Sequence, residues 1–415
     1  MSFLAPEKKR QQIGLLLAST LTVMAGATVA PSLPQIEDTF SGTQRIDLLS
    51  RLVLTLPALF IGVASPLAGW LIDRFGRLRL LYASMVLYAL AGTSGLYLQS
   101  IEGILAGRAV LGLAVAGIMT TVTTLAADYL QGESRGKFMG IQGGFMALGG
   151  MVFILMGGGL ADVHWRAPFG IYAFSLVFLF FISRRLYEPS QQERTNPTQS
   201  KTPGQGPSDV AGQGSRWKIA LVYATAFLGM VLFYMMPVQI PYLVKEFPDV
   251  SNTQAGLAIA IGTVTGALVS LNYKRFRQRL HFAALFFLSF LFMGGGYVII
   301  GLAPSYLLVL AGVLVAGLGA GFLMPNANVW LMGLAPPEKR GRLMGGLSMA
   351  IFLGQFASPL VTEPVEEAYQ SLSATFLVAA GVLGIGALGY LLLAIVQKQN
   401  ALRKPKAQGK AAAAQ

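Results

Sequence analysis

Apolar residues fall in twelve long runs, near 13–36, 47–72, 79–98, 102–127, 137–160, 167–186, 217–245, 253–273, 281–302, 305–333, 341–362 and 371–397. Each is close to the roughly 20 residues that a helix needs to cross a bilayer's hydrocarbon. Short polar or charged stretches separate them. The pattern predicts an all-α integral membrane protein of twelve transmembrane helices. The first run follows "PEKKR", the signature of a secretory leader. It continues through "ATVAPSLPQI" with eleven more runs behind it, so it is read as helix 1.

Between the sixth and seventh runs the pattern stops. Residues 188–215 are rich in Pro, Gly, Ser and Gln and have too little apolar content to bury, which predicts a flexible linker. The organisation expected is a six-helix bundle over 1–187, this linker, a second bundle over 216–398 and a disordered tail over 399–415. The halves repeat one another. "LQGESRGKFMG" (Leu130–Gly140) follows the fourth run and "APPEKRGRLMG" (Ala335–Gly345) the tenth. Superposition sets Glu133 on Glu338, Arg135 on Arg340, Gly136 on Gly341, Met139 on Met344 and Gly140 on Gly345. Two pseudo-symmetric six-helix bundles are a transporter architecture, with a substrate site at the midplane between them.

Composition agrees with the pattern and charge orients it. Hydrophobic residues make up 54% and charged residues only 12%, with mean hydropathy +0.60. A soluble chain carries about twice that charged share. The net charge of +13 is a sidedness signal, because Lys and Arg gather in alternate loops and at both termini. The other set of loops has only Arg45, Arg51, Arg166 and Lys245. By the positive-inside rule both termini are cytoplasmic, and the plasma (inner) membrane is the expected location. The charge therefore implies no nucleic-acid partner. With 0 Cys and 2 His there is no thiolate nucleophile and no metal-ligand cluster, and neither a cofactor nor a metal is expected. Nothing suggests an enzyme.

The loop "GWLIDRFGRLR" (Gly69–Arg79) joins the second and third runs. It resembles the signature motif of the major facilitator superfamily through Gly69, Asp73, Arg74, Gly76, Arg77 and Arg79. "ILAGRAVLGLAVAG" resembles the second motif of that superfamily's drug-efflux branch through Arg108 and Gly112, with Leu111 where a Gln commonly stands. In the fifth run "FILMGG" keeps the glycine pair of the antiporter motif and lacks its Gly-Pro. The resemblance covers essentially the whole chain. It implies alternating access between the two halves, with export of small amphipathic organic compounds and protons as the candidate coupling ion. An uptake or facilitated-diffusion carrier for a polar metabolite such as a sugar is the alternative. A monomer in contact with lipid and a small-molecule substrate is expected.

The resemblance also assigns roles. Asp73 would lie against the N-terminus of helix 11, "GRLMGG", when the cytoplasmic side closes, its charge favoured by free amides and the helix dipole. Arg77 would pair with Asp128. Gly69, Asp73, Arg74, Gly76, Arg77, Arg79 and Asp128 thus form the expected gating set, with Arg74 and Arg79 also serving as topology anchors. For cargo contact or coupling the polar residues inside spans are Arg108, Gln142, Tyr234, Gln239, Asn326, Asn328 and Gln355. A guanidinium inside a span must face the bundle and find acceptors, and Arg108 is expected to organise helix 1 through a backbone carbonyl. Asn326 and Asn328 lie about 200° apart around a helix, so both do not face one cavity. Met235, Met236 and Trp330 are expected in an adaptable apolar wall. Four-residue stripes of small residues in helices 5, 8 and 11 suit either rocking or tight packing, and Pro237 and Pro241 mark a hinge or kink in helix 7. No acidic residue falls in the middle of any run.

Overall fold

The computed structural model describes residues 6–130, 132–189, 216–336 and 339–412. Most of the expected linker, and Glu338 of the repeat, lie outside the described residues. The architecture is all-helical. Helices 2, 4, 5, 8, 9, 10 and 11 span Ile46–Phe75, Ile101–Tyr129, Gly132–Val163, Asn252–Arg277, Phe282–Gly301, Tyr306–Leu334 and Arg340–Tyr369. Helix 3 is shorter, Arg77–Gly92, and continues as a 3-10 turn over Thr93–Leu96. Helix 6 begins as 3-10, Ala167–Ala173, before turning α-helical over Phe174–Ser183. Helix 12 runs Leu372–Ala412, through part of the stretch expected as a tail.

Helices 1 and 7 are each broken at corresponding places, and proline is the reason. Helix 1 consists of Pro6–Ala27, a 3-10 turn Ala30–Ser32 and Leu33–Thr39, with Pro31 and Pro34 at the joints. Helix 7 consists of Arg216–Phe233 and Met235–Lys245, and Pro237 and Pro241 follow the break at Tyr234. Each proline removes a backbone donor and crowds the preceding turn. The sequence repeat therefore has a structural counterpart.

Packing repeats as well. Helix 1 packs on 5 and helix 7 on 11; helix 2 on 4 and 8 on 10; helix 3 on 6 and 9 on 12. Between the halves, helix 5 packs on 8 and helix 2 on 11. Advancing every helix number by six returns the same list. That closure is the mark of two pseudo-symmetric bundles.

The small-residue stripes serve mainly the inside of each half. A methyl on Gly262 or Gly266 of helix 8 would strike Val313 or Gly317 of helix 10, and one on Gly354 of helix 11 would strike Phe227 of helix 7. Gly136, Gly140 and Gly144 of helix 5 have nothing within 4 Å of where a Cβ would stand. Outward-facing Val63, Leu67, Leu148, Ile385, Leu388 and Leu392 are exposed, a belt that suits hydrocarbon.

Candidate functional site: a central cavity and two gates

An apolar cavity of about 320 Å³ lies between the halves. Helix 1 contributes Thr22, Val23, Ala25, Gly26 and Ala27, helix 2 Leu54, Pro57, Ala58 and Ile61, and helix 4 Val115 and Met119. From the other half come Phe233, Tyr234, Met236 and Pro237 at the break in helix 7, Thr263 of helix 8, and Phe352 and Gln355 of helix 11. No charged side chain lines it. Thr22 and Thr263 spend their hydroxyls on carbonyls of their own helices, at Ser19 and Ile259. Gln355 and the Tyr234 hydroxyl are left as the polar groups that face the space.

The other residues expected at the cargo site are engaged elsewhere. Arg108 is completely buried and donates to the carbonyls of Val53 (2.7 Å) and Ala25 (2.8 Å) and to the Tyr172 hydroxyl (2.9 Å). It ties helices 1, 2, 4 and 6 together and does not reach the cavity. Gln142 donates to Ser19 at 2.7 Å, joining helices 5 and 1. Asn326 is buried, accepts from Tyr273 and donates to the Phe282 carbonyl. Asn328 donates to the Met324 carbonyl of its own helix. Gln239 is fully buried, and neither atom of its amide has a hydrogen-bond partner. Of the expected wall, Met236 lines the cavity; Met235 is buried away from it, and Trp330 packs between Phe282 and Phe286. An apolar run cannot tell a helix face turned to the cavity from one turned to its neighbours, and packing decides.

On the face that carries the basic loops, the signature loop sits as follows. Gly76 has φ 93°, a conformation open to glycine, and ends helix 2. Arg77 Nε donates to Asp128 Oδ2 at 3.2 Å, joining helices 3 and 4. The Glu188 carboxylate accepts from the backbone amides of Arg77 (2.9 Å) and Leu78 (2.8 Å), capping helix 3. Arg74 lies over Trp70 and Phe75, Arg79 and Gly69 lie at the surface or in open space, and Asp73 is exposed without a hydrogen bond or ion pair among the described residues. Gly341 and Gly345 at the start of helix 11 also have open space around them. The halves stand apart here.

On the opposite face they are joined, and sequence reasoning missed the residues that join them. Asp162, at the end of helix 5, accepts from the backbone amides of Asn252 (2.7 Å) and Thr253 (3.2 Å) and from the Thr253 hydroxyl (2.5 Å). A carboxylate of one half thus caps the first turn of helix 8 in the other, where free amides and the dipole favour it. Gly158 makes the approach possible, because a Cβ there would stand 2.7 Å from the Asn252 carbonyl oxygen. Arg51 of helix 2 grips Glu366 of helix 11 with a two-pronged contact, 2.7 Å on each prong, and lies over the Tyr242 ring. Ser50 and Tyr242 are 2.8 Å apart, Ser50 donates to Glu37 at 3.0 Å, and Lys245 stands 3.7 Å from Asp38. Burial first, and then the neighbouring Glu366, push the Glu246 carboxyl above its ordinary range. The readable signals were "SNTQ", whose Ser251 and Gln254 form a capping box, and the lone cations Arg45 and Arg51 on a side otherwise poor in them.

Residues 15–280 and 219–415 match the sequence profile of the Major Facilitator Superfamily. The chain is 27% identical over 273 residues to Multidrug resistance protein 1 of Bacillus subtilis, covering 64% of this chain and 66% of that protein. It is 29% identical over 170 residues to the arabinose-proton symporter of Escherichia coli, covering 41% of this chain and 34% of that one. It thus spans about two thirds of one curated relative's length and about one third of the other's. Among solved structures, a bacterial homolog of the human lysosomal transporter Spinster, in an inward-facing and unoccupied conformation, superposes with TM-score 0.74. That match has 18% identity and covers 94% of this chain and 97% of the other.

Proposed function

This chain belongs to the major facilitator superfamily, and we propose that it exports small, uncharged, amphipathic organic compounds by alternating access. It is an integral membrane transporter and not an enzyme. The observation that carries the reading is the cavity between the halves, apolar and free of charged side chains, with Tyr234 and Gln355 as its polar contacts. Such a lining rewards burial of apolar area at roughly 25 cal/mol per Å². It offers little to a sugar, whose many hydroxyls would each need a partner to offset desolvation. The multidrug relative supports export and the symporter relative supports uptake; the cavity favours the first.

In this reading the protein works as a monomer in the plasma (inner) membrane, with the basic face and both termini cytoplasmic. The state described is then open to the cytoplasm and closed outside by Asp162 on helix 8 and Arg51 on Glu366. Closing the cytoplasmic side seats Asp73 against the free first turn of helix 11, while Arg77 and Asp128 hold the loop in register. Asp162 on helix 8 and Asp73 on helix 11 are then the same device at opposite faces, a carboxylate at the C-terminal end of one helix set against the N-terminus of a helix in the other half. No carboxylate lines the cavity, so proton antiport, where it operates, runs through the gates.

Transport into proteoliposomes with an imposed pH gradient, against a panel of neutral dyes, lipophilic cations and sugars, tests the proposal. Gradient-driven accumulation of amphipathic dyes is the expected result. Sugar counterflow that ignores the gradient would establish the facilitator instead.

A further inference from the structure

Between the central cavity and the closed face runs a seam whose polar groups have no use in this conformer. Along the outer segment of helix 7, Met236 lines the cavity and Tyr242 meets Ser50 of the other half at 2.8 Å. Gln239 stands three residues from each. Residues three apart on a helix share a face and differ in depth by about 4.5 Å. Gln239 therefore lies on the stripe that faces the seam, one step outside the cavity and one step inside the gate.

Its surroundings give the amide nothing to bond. Gln239 is 0% exposed, and no described residue makes a hydrogen bond to its Nε2 or its Oε1. Neighbouring Val238, Ile240 and Leu243 are buried and apolar. The first half carries matching groups. Thr55 of helix 2 falls four residues after Arg51 of the gate and three before Ala58 of the cavity. Ser32 belongs to the 3-10 turn on which the outer segment of helix 7 packs. Both hydroxyls are buried without a hydrogen-bond partner among the described residues. A buried amide or hydroxyl left unpaired is unfavourable. Groups of this kind on both sides of one seam are relieved when the seam parts.

We propose that Gln239 is a cargo-binding residue of the outward-open conformer, hidden in the seam while the outer face is closed. The assignment rests on the export reading and extends it to the second conformer. As the halves separate at Tyr242 and Ser50, the cavity lengthens outward along the stripe and Gln239 enters its wall. A primary amide donates and accepts at once, so it suits the polar end of an uncharged cargo that carries a carboxamide, lactam or hydroxyl group. The inward-open site thus favours the apolar body of the cargo and the outward-open site its polar end. Such a difference in affinity between conformers is what lets a ligand bias their exchange.

The test exploits a chain with 0 native Cys. Gln239→Cys, in right-side-out vesicles, is probed with a membrane-impermeant thiol reagent. Labelling is expected to be slow, to quicken several-fold when Asp162→Ala loosens the closed face, and to slow again when a neutral, amide-bearing dye is added. Val163→Cys, at the exposed end of helix 5, labels in either background and shows that the reagent arrives. Gln239→Leu is expected to keep or raise the unfolding temperature in detergent, because no hydrogen bond is lost. Equal rates at Gln239→Cys in both backgrounds, zero included, overturn the proposal, as does labelling that neither dye nor sugar slows. A fall of several degrees in Gln239→Leu also overturns it, by making the amide a bonded part of the closed seam. Protection by a sugar and by no dye keeps Gln239 at the cargo and overturns the export reading instead.

Discussion

At the scale of single residues, Arg108 shows how much one side chain in a span can organise. Its guanidinium meets two backbone carbonyls and a hydroxyl on three other helices, a fork that an ammonium group does not reproduce. Arg108→Met is expected to strand the Ala25 and Val53 carbonyls at about 1–3 kcal/mol each. A fall in the unfolding temperature in detergent, with loss of transport at every substrate concentration, checks this; a change in apparent KM alone would place Arg108 at the cargo instead. Gln355→Ala should do the reverse, raising KM several-fold for cargo with a hydrogen-bonding group while leaving the unfolding temperature unchanged.

Elements set the gate. The helix 8 N-terminus offers free amides, and Asp162 takes them from the other half. Asp162→Ala removes a cap worth about 0.5–2 kcal/mol, and the population open at the basic face should fall accordingly. Asp73→Asn is expected to have the opposite sense, because it weakens the contact proposed for the other conformer. Transport is expected to drop about tenfold, the equivalent of about 1.4 kcal/mol, with expression and insertion intact. Distances between spin labels on introduced cysteines report both shifts, on a chain with 0 native Cys. If the two variants move the distances the same way, the opposed-latch reading fails.

Across the whole molecule, two halves joined at one face and apart at the other are the arrangement that the proposed alternating access requires. A Cβ on Gly159 would stand 3.8 Å from Thr253 Oγ1, within reach of a disulfide. Gly159→Cys with Thr253→Cys, once oxidised, should stop turnover and recover it on reduction. Continued transport by the oxidised protein would show that this face need not open.

The apolar runs by themselves determined the class of fold, because a backbone in hydrocarbon has few ways to satisfy its hydrogen bonds and a helix of about 20 residues is one. Repeated local strings such as "SRGKFMG" and "KRGRLMG" carried the duplication, since they are contiguous and their spacing survives. Tertiary structure decided which polar residue faces what. Gln142, Asn326 and Asn328 look alike in sequence to Gln355, and only packing turned them to helix contacts and Gln355 to the cavity. The gate of Asp162 with helix 8, and of Arg51 with Glu366, joins residues separated by 90 and 315 positions. Periodicity along one chain holds no record of such pairs, which exist because two separately folded bundles meet.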